Sequence, residues 1–193
     1  MRIIAGEFRG RQILAPESDT TRPITDRVKQ SLFDILTPRI EDARVYDCFC
    51  GTGSMGLECL SRGARHATFF DADRSALLRL QKNIDTLKVA DRSTIHRGDL
   101  FKWFDRHRAA PPEPGKIDLV FLDPPYRFLR ELPQKLQQLA ADLLPHLHAN
   151  ALVIFRHDAA DRLDLPALQR ADERSYGGMT LEFLRPPAGI SGQ

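Results

Sequence analysis

Cysteine is scarce: the chain has three, Cys48, Cys50 and Cys59, in one short stretch and without a fourth partner. That spacing matches neither a structural zinc set nor the paired framework of a small secreted domain, so the thiols read as small apolar packing residues. Long apolar runs are missing too. Nothing approaches the roughly 18 residues that a membrane-crossing helix needs, and no basic-then-apolar leader opens the sequence. A cytoplasmic protein without membrane insertion is expected. Charge of one sign is not in excess: the formal net charge is only +2, which permits a nucleic-acid partner without arguing for one. His96, His107, His146, His148 and His157 lack ligand-like pairing with carboxylates, so no metal site is expected. Internal repeats and low-complexity tracts are absent.

What is present suits one domain. The 193 residues are 42% hydrophobic and 28% charged, a mixture that buries a sizeable core and folds alone. From Val45 onward, short apolar runs alternate with helical patterns. Val45 to Phe49 reads as a strand running through glycines into a helix near Leu57 to Arg62. Ala67 to Phe70 reads as a second strand, followed by a helix from about Ser75 to Leu87 whose Leu77, Leu80, Ile84 and Leu87 share one face. Ser93 to His96, Ile117 to Leu122 and Ala151 to Arg156 read as further strands. Helices are expected over Leu100 to Arg106 and Leu132 to Leu144, and a hairpin around Gly177-Gly178. This order predicts an open α/β, Rossmann-like sheet of seven strands, mostly parallel, with a C-terminal antiparallel hairpin strand. Ahead of it, residues 1–40 differ in character: a small β-hairpin with Gly6 and Gly10, then a helix whose N-cap is Thr25 or Asp26. Residues 41–186 form the main domain, and 187–193 a frayed tail.

Two segments carry chemistry. In the first, Gly51, Gly53 and Gly56 satisfy G-x-G-x-x-G at a strand-to-helix turn, with Asp71 twenty residues after Gly51. A nicotinamide dinucleotide is one reading. Asp47, just upstream, favours S-adenosylmethionine instead: its carboxylate accepts from the cofactor's ammonium group and repels a pyrophosphate. Asp71 then holds the ribose hydroxyls. Its spacing to Asn83 favours it over Asp73, which becomes a helix cap. Asp99 accepts from the adenine amino group with Leu100 beside the ring, or else is a plain turn and N-cap.

The second segment is Asp123-Pro124-Pro125-Tyr126, directly after the most apolar strand. An exocyclic base amine is a poor nucleophile because its lone pair is delocalised into the ring. Two acceptors, the Asp123 carboxylate and the Pro124 carbonyl, favour the pyramidal form whose lone pair is available. Pro124 and Pro125 lock the turn in advance. Tyr126 stacks on a flipped-out base, a contact worth roughly 1 to 3 kcal/mol. As an isolated motif this is a rigid turn; coupled to Asp47, Gly51, Gly53 and Asp71 it reads as an amine methyltransferase.

At these residues the chain resembles the RsmD family of bacterial methyltransferases, which modify N2 of one guanine (guanine 966) in 16S ribosomal RNA. The resemblance spans nearly the whole chain. It rests on Arg2 to Arg11, Arg22 to Lys29, Asp47 to Arg62 and Asp123 to Tyr126. It implies S-adenosylmethionine as cofactor and an assembling or assembled small ribosomal subunit as partner. It also implies an RNA-facing N-terminal extension, with Arg9, Arg11, Arg22 and Arg27 as candidate phosphate contacts and Pro125 on the substrate side. Arg22 and Asp26 could equally pin the extension over the active site. A monomer is expected. Methylation of adenine N6 or cytosine N4 would use the same acceptor loop, and a non-catalytic RNA-binding module is the alternative of another class.

Overall fold

The computed structural model describes residues 1–16, 24–108 and 115–188. Two compact units divide the chain, Met1–Gly98 and Asp99–Gln193.

The first unit opens with an arm. Ile3 N donates to Arg11 O (3.0 Å), Gly10 N to Ile3 O (2.9 Å) and Ile13 N to Met1 O (3.0 Å), so the expected hairpin forms. It is short, with a single antiparallel bridge, Arg2 to Gln12. Its apolar residues Ile3, Phe8 and Ile13 are buried. Helix α1, Asp26–Leu36, starts at Thr25, whose hydroxyl accepts from Val28 N, and buries Leu32, Phe33 and Leu36. Three strands follow: β1 (Arg44–Cys48), β2 (His66–Asp71) and β3 (Ser93–Arg97). They pair in parallel in the order β3-β2-β1, linked by helices α2 (Ser54–Ser61) and α3 (Arg74–Leu87). The four expected apolar positions of α3, Leu77, Leu80, Ile84 and Leu87, are all buried. Each such side chain removed from water contributes about 1.5–3 kcal/mol.

In the second unit, helix α4 (Leu100–His107) precedes β4 (Ile117–Leu122). Helices α5 (Arg127–Glu131) and α6 (Pro133–Leu143) lead to β5 (Leu147–Asp158), and β6 (Gln169–Tyr176) turns back into β7 (Met179–Arg185). The order is β4-β5-β7-β6, with β4 and β5 parallel and the β5–β7 and β6–β7 pairs antiparallel. Tyr176 pairs with Met179 across Gly177-Gly178, the expected two-residue hairpin loop.

Three elements differ from the sequence expectation. Strand β5 begins four residues earlier than Ala151, because Leu147 already pairs with Ile117 across a bulge. Strand β6 begins at Gln169, in the polar run Gln-Arg-Ala-Asp-Glu-Arg; it is the edge of the order and mostly exposed, so no apolar alternation announces it. Helix α5 has no counterpart in the sequence expectation. It forms because Phe128 N donates to Pro125 O (2.8 Å) and Leu129 N to Tyr126 O (3.2 Å), and Pro133 then starts a separate helix. The Pro-rich stretch 109–114 and the tail 189–193 lie outside the described residues.

Candidate functional site

At the carboxyl end of β1 the backbone turns through the left-handed region at Phe49 (φ 60°), Gly51 (φ 56°) and Gly53 (φ 84°). Phe49 carries a side chain there, which is a strained arrangement that the surrounding packing must hold. Gly53 is required twice over: its φ is positive, and a Cβ would meet Leu80 Cδ1 at 2.4 Å. Gly56 sits on α2 against β2, where a Cβ would lie 2.4 Å from Phe69 Cε1, so the third glycine of the motif serves helix-to-strand packing.

Two carboxylates hold this loop. Asp47 Oδ2 accepts from Gly56 N at 2.8 Å, and its side chain is buried. Asp71 Oδ2 accepts from Gly51 N at 2.7 Å while Oδ1 accepts from Asp73 N at 2.9 Å. Each carboxylate oxygen has a second acceptor lobe, so shaping the loop and binding a ligand are compatible. Asp73 accepts from Ser75 N and Ala76 N as the cap of α3. Gly98 N donates to Asp71 O at 2.9 Å, drawing the end of β3 towards the end of β2. In the second unit Asp99 is exposed and accepts from Phe101 N (2.9 Å) and Lys102 N (3.3 Å) as the cap of α4, and Leu100 is buried.

The thiols stay protonated. Burial pushes Cys48, Cys50 and Cys59 well above the ordinary thiol range, and the charge of Asp47 adds to it. All three are free cysteines; Cys48 and Cys59 are buried and Cys50 is half-buried.

The loop Asp123-Pro124-Pro125-Tyr126 follows β4. Pro124 is buried, and Asp123, Pro125 and Tyr126 are half-buried. Among the described residues no backbone N–H donates to the Pro124 carbonyl. Asp123 Oδ1 accepts from Arg156 Nε at 2.7 Å. Burial pushes the Asp123 carboxyl above its ordinary range, and the neighbouring guanidinium opposes that push. The sequence reading did not single out Arg156, which the structure places against Asp123. Its signal was an arginine closing the apolar run that begins at Ala151. Beside the loop, Phe128 lies 6.2 Å from Phe101, with the Arg127 guanidinium 5.6 Å from the Phe128 ring and Lys135 Nζ 5.8 Å from the Phe101 ring.

The N-terminal basic residues part company. Arg9, Arg11 and Arg27 are exposed. Arg22 lies outside the described residues, and Asp26 pairs with Arg2 at 2.8 Å. Lys29 is not a surface cation: its Nζ is 3.0 Å from Glu58 Oε2, and both side chains are buried. Glu58 accepts as well from Ile4 N (2.8 Å) and Ala5 N (3.0 Å) and pairs with Arg62 (2.9 Å). The arm is thereby latched onto α2, the helix that starts at the glycine loop. Among the described residues no group of three or more His, Cys, Asp and Glu could hold a metal ion, and no helix is long and apolar enough to cross a membrane.

Comparison with known proteins adds four likenesses. A family model described as "Conserved hypothetical protein 95" matches residues 1–185. Ribosomal RNA small subunit methyltransferase D of Escherichia coli (strain K12) is 41% identical over 127 residues, 66% of this chain and 61% of that protein, so the match spans less than two thirds of that relative. The solved structure of yhhF from Escherichia coli superposes with a TM-score of 0.80 at 32% identity, covering 97% of this chain and 98% of that one. SMU.776, solved in complex with SAH, has a TM-score of 0.67 at 14% identity over 84% of this chain and 50% of its own, a likeness of fold alone.

Proposed function

The chain belongs to the RsmD family of methyltransferases, and on that premise we propose that it methylates N2 of a guanine in small-subunit ribosomal RNA. The coarser statement, S-adenosylmethionine-dependent methylation of small-subunit RNA, follows the relatives. The finer one, the guanine N2 chemistry, rests on the acceptor loop. The Rossmann-like class I fold carries both.

The cofactor is S-adenosylmethionine, and the first unit has residues that fit it. Gly51, where a Cβ would meet nothing within 4 Å, leaves no side chain between backbone and ligand, and Gly53 lets the loop pack against Leu80. Asp71 stands at the end of β2 with lone pairs left for ribose hydroxyls, and Asp47 provides a negative charge for the ammonium group. Asp99 has the same competence toward an adenine amino group, with Leu100 beside the ring. Bound there, the cofactor supplies an electrophilic methyl group.

The chain's own part is to activate the nitrogen. Asp123 and the Pro124 carbonyl accept the two N–H bonds of the amine, which localises its lone pair, and Asp123 takes the proton that the nitrogen loses on methylation. Both acceptors are set by proline-restricted backbone before substrate arrives, so little ordering is left to the reaction. Tyr126 stacks on the base and Pro125 borders it. Residues 1–40 form the RNA-facing extension, with Arg9, Arg11 and Arg27 on phosphates; residues 41–186 form the catalytic domain, and the enzyme acts as a monomer.

The observation that carries this reading is the Asp-Pro-Pro-Tyr loop, with its carboxylate held by Arg156 at 2.7 Å. Its test is transfer of labelled methyl from S-adenosylmethionine to small subunits from cells lacking the enzyme, followed by nucleoside analysis. N2-methylguanosine is expected. Label in another nucleoside overturns the guanine assignment, and no label despite tight binding of S-adenosylhomocysteine overturns the RNA substrate.

A further inference from the structure

Leu122 of β4 pairs with Phe155 of β5 in parallel register, so the residues that follow them, Asp123 and Arg156, stand side by side at the carboxyl ends of two neighbouring strands. The Arg156 side chain is 10% exposed and that of Asp123 22% exposed. Nε of Arg156 donates to Asp123 Oδ1 at 2.7 Å, and Nη1 lies 3.8 Å from the Met179 sulfur. The guanidinium is thus held from two sides, and its engagement with the carboxylate runs through one oxygen.

We propose that Arg156 is a positioning residue of methyl transfer, which ties down Oδ1 of Asp123 and leaves Oδ2 to accept from the substrate amine. The inference rests on the reading of Asp123 as the amine acceptor. A carboxylate free to rotate about its Cβ–Cγ bond presents either oxygen in many directions; one anchored by a charge-assisted hydrogen bond presents the other in one. A neutral acid would donate a proton where the amine needs an acceptor, so the same cation serves a second end by favouring the ionised form.

The other charges around the loop do not replace it. On β5, Asp158 shares the Arg156 face by strand alternation and accepts from Ala160 N at 2.9 Å. His157 and Glu182 of β7 pair with each other at 3.1 Å on the opposite face. On α5, Arg127 lies over the Phe128 ring and Arg130 pairs with Asp161 at 2.8 Å. Among the described charges, Arg156 is the one that acts on the Asp123 carboxyl.

The test is the pH dependence of methyl transfer for the wild type, Arg156→Gln, Arg156→Lys and Asp123→Asn, with S-adenosylhomocysteine binding as the check that each variant folds. For Arg156→Gln, kcat falls about tenfold to a hundredfold at neutral pH. Its acid limb moves to higher pH, so raising the pH recovers part of the loss, while KM for RNA changes little. Arg156→Lys keeps the charge and loses the Nε geometry: its acid limb stays in place and kcat drops less. A loss equal at every pH, or no loss, overturns the proposal. Should Arg156→Gln fail to fold, Arg156→Lys decides, since wild-type kcat in that variant also overturns it. Asp123→Asn separates the two ideas. If it keeps transfer, the acceptor-loop reading fails; if it is inactive and Arg156→Gln has an unmoved profile, only the role of Arg156 fails.

Discussion

Lys29 and Glu58 form an ion pair at 3.0 Å whose side chains are 3% and 0% exposed. Ser54 Oγ, at the start of α2, accepts from the same Lys29 Nζ at 3.2 Å. Glu58 also receives the backbone N–H groups of Ile4 and Ala5, so one buried carboxylate joins α1, α2 and the arm. Removing it leaves an uncompensated buried cation and two unpaired amides. Glu58→Ala should therefore lose about 3–5 kcal/mol of stability, measured by urea unfolding. The Lys29→Met, Glu58→Gln pair should lose less than the sum of its single changes, and simple additivity would argue against the coupling.

Gly53 offers a test of the glycine loop that spares the rest of the fold. Alanine there must adopt φ +84° and push against Leu80 Cδ1 at 2.4 Å. The expected loss is about 1–3 kcal/mol of stability, with S-adenosylhomocysteine affinity down about tenfold by calorimetry because the loop backbone shifts. Unchanged affinity would move the cofactor contact away from this loop.

Arg9 and Arg11 are exposed on the arm. If they touch phosphates, Arg9→Ala and Arg11→Ala should each weaken binding to small-subunit RNA and lower the salt dependence of log K by about one counterion. Filter binding across a salt series reads this directly. A variant that weakens binding without changing the slope has lost a contact other than a phosphate.

His157 Nε2 lies 3.1 Å from Glu182 Oε1, and its Nδ1 lies 2.8 Å from Asp158 O. Burial pulls the imidazole down, but the Glu182 and Asp158 contacts outweigh it and the net direction is upward. A raised folded value means stabilisation that is complete below the unfolded value near pH 6.5 and is lost as pH rises through the folded value. Thermal melts should show wild type losing its advantage over Glu182→Gln across that alkaline window. A charge-assisted hydrogen bond of this kind contributes about 1.5–3 kcal/mol. Parallel curves for the two proteins would mean that His157 stays neutral.

Local pattern was enough for much of the molecule. The period of Leu77, Leu80, Ile84 and Leu87 determined the buried face of α3, and the capping chemistry of Thr25 and Asp73 marked two helix starts. An apolar run interrupted by Asp118 alone and followed by Asp123-Pro124-Pro125-Tyr126 located the end of β4. These are short-range consequences of side-chain shape and hydrogen-bonding capacity, so the chain carries them wherever it folds. Pairings between distant residues were decided by the tertiary structure. Arg156 reaches Asp123 across 33 residues, and Asn83 bridges Leu14 and Thr52 O across 69 and 31. Lys29 turned inward although Arg27, two residues before it, is exposed. Strand β6 formed from polar residues because β7 offered an open edge. In each case strand register and helix packing brought the partners together, and no local periodicity encodes a register between segments so far apart.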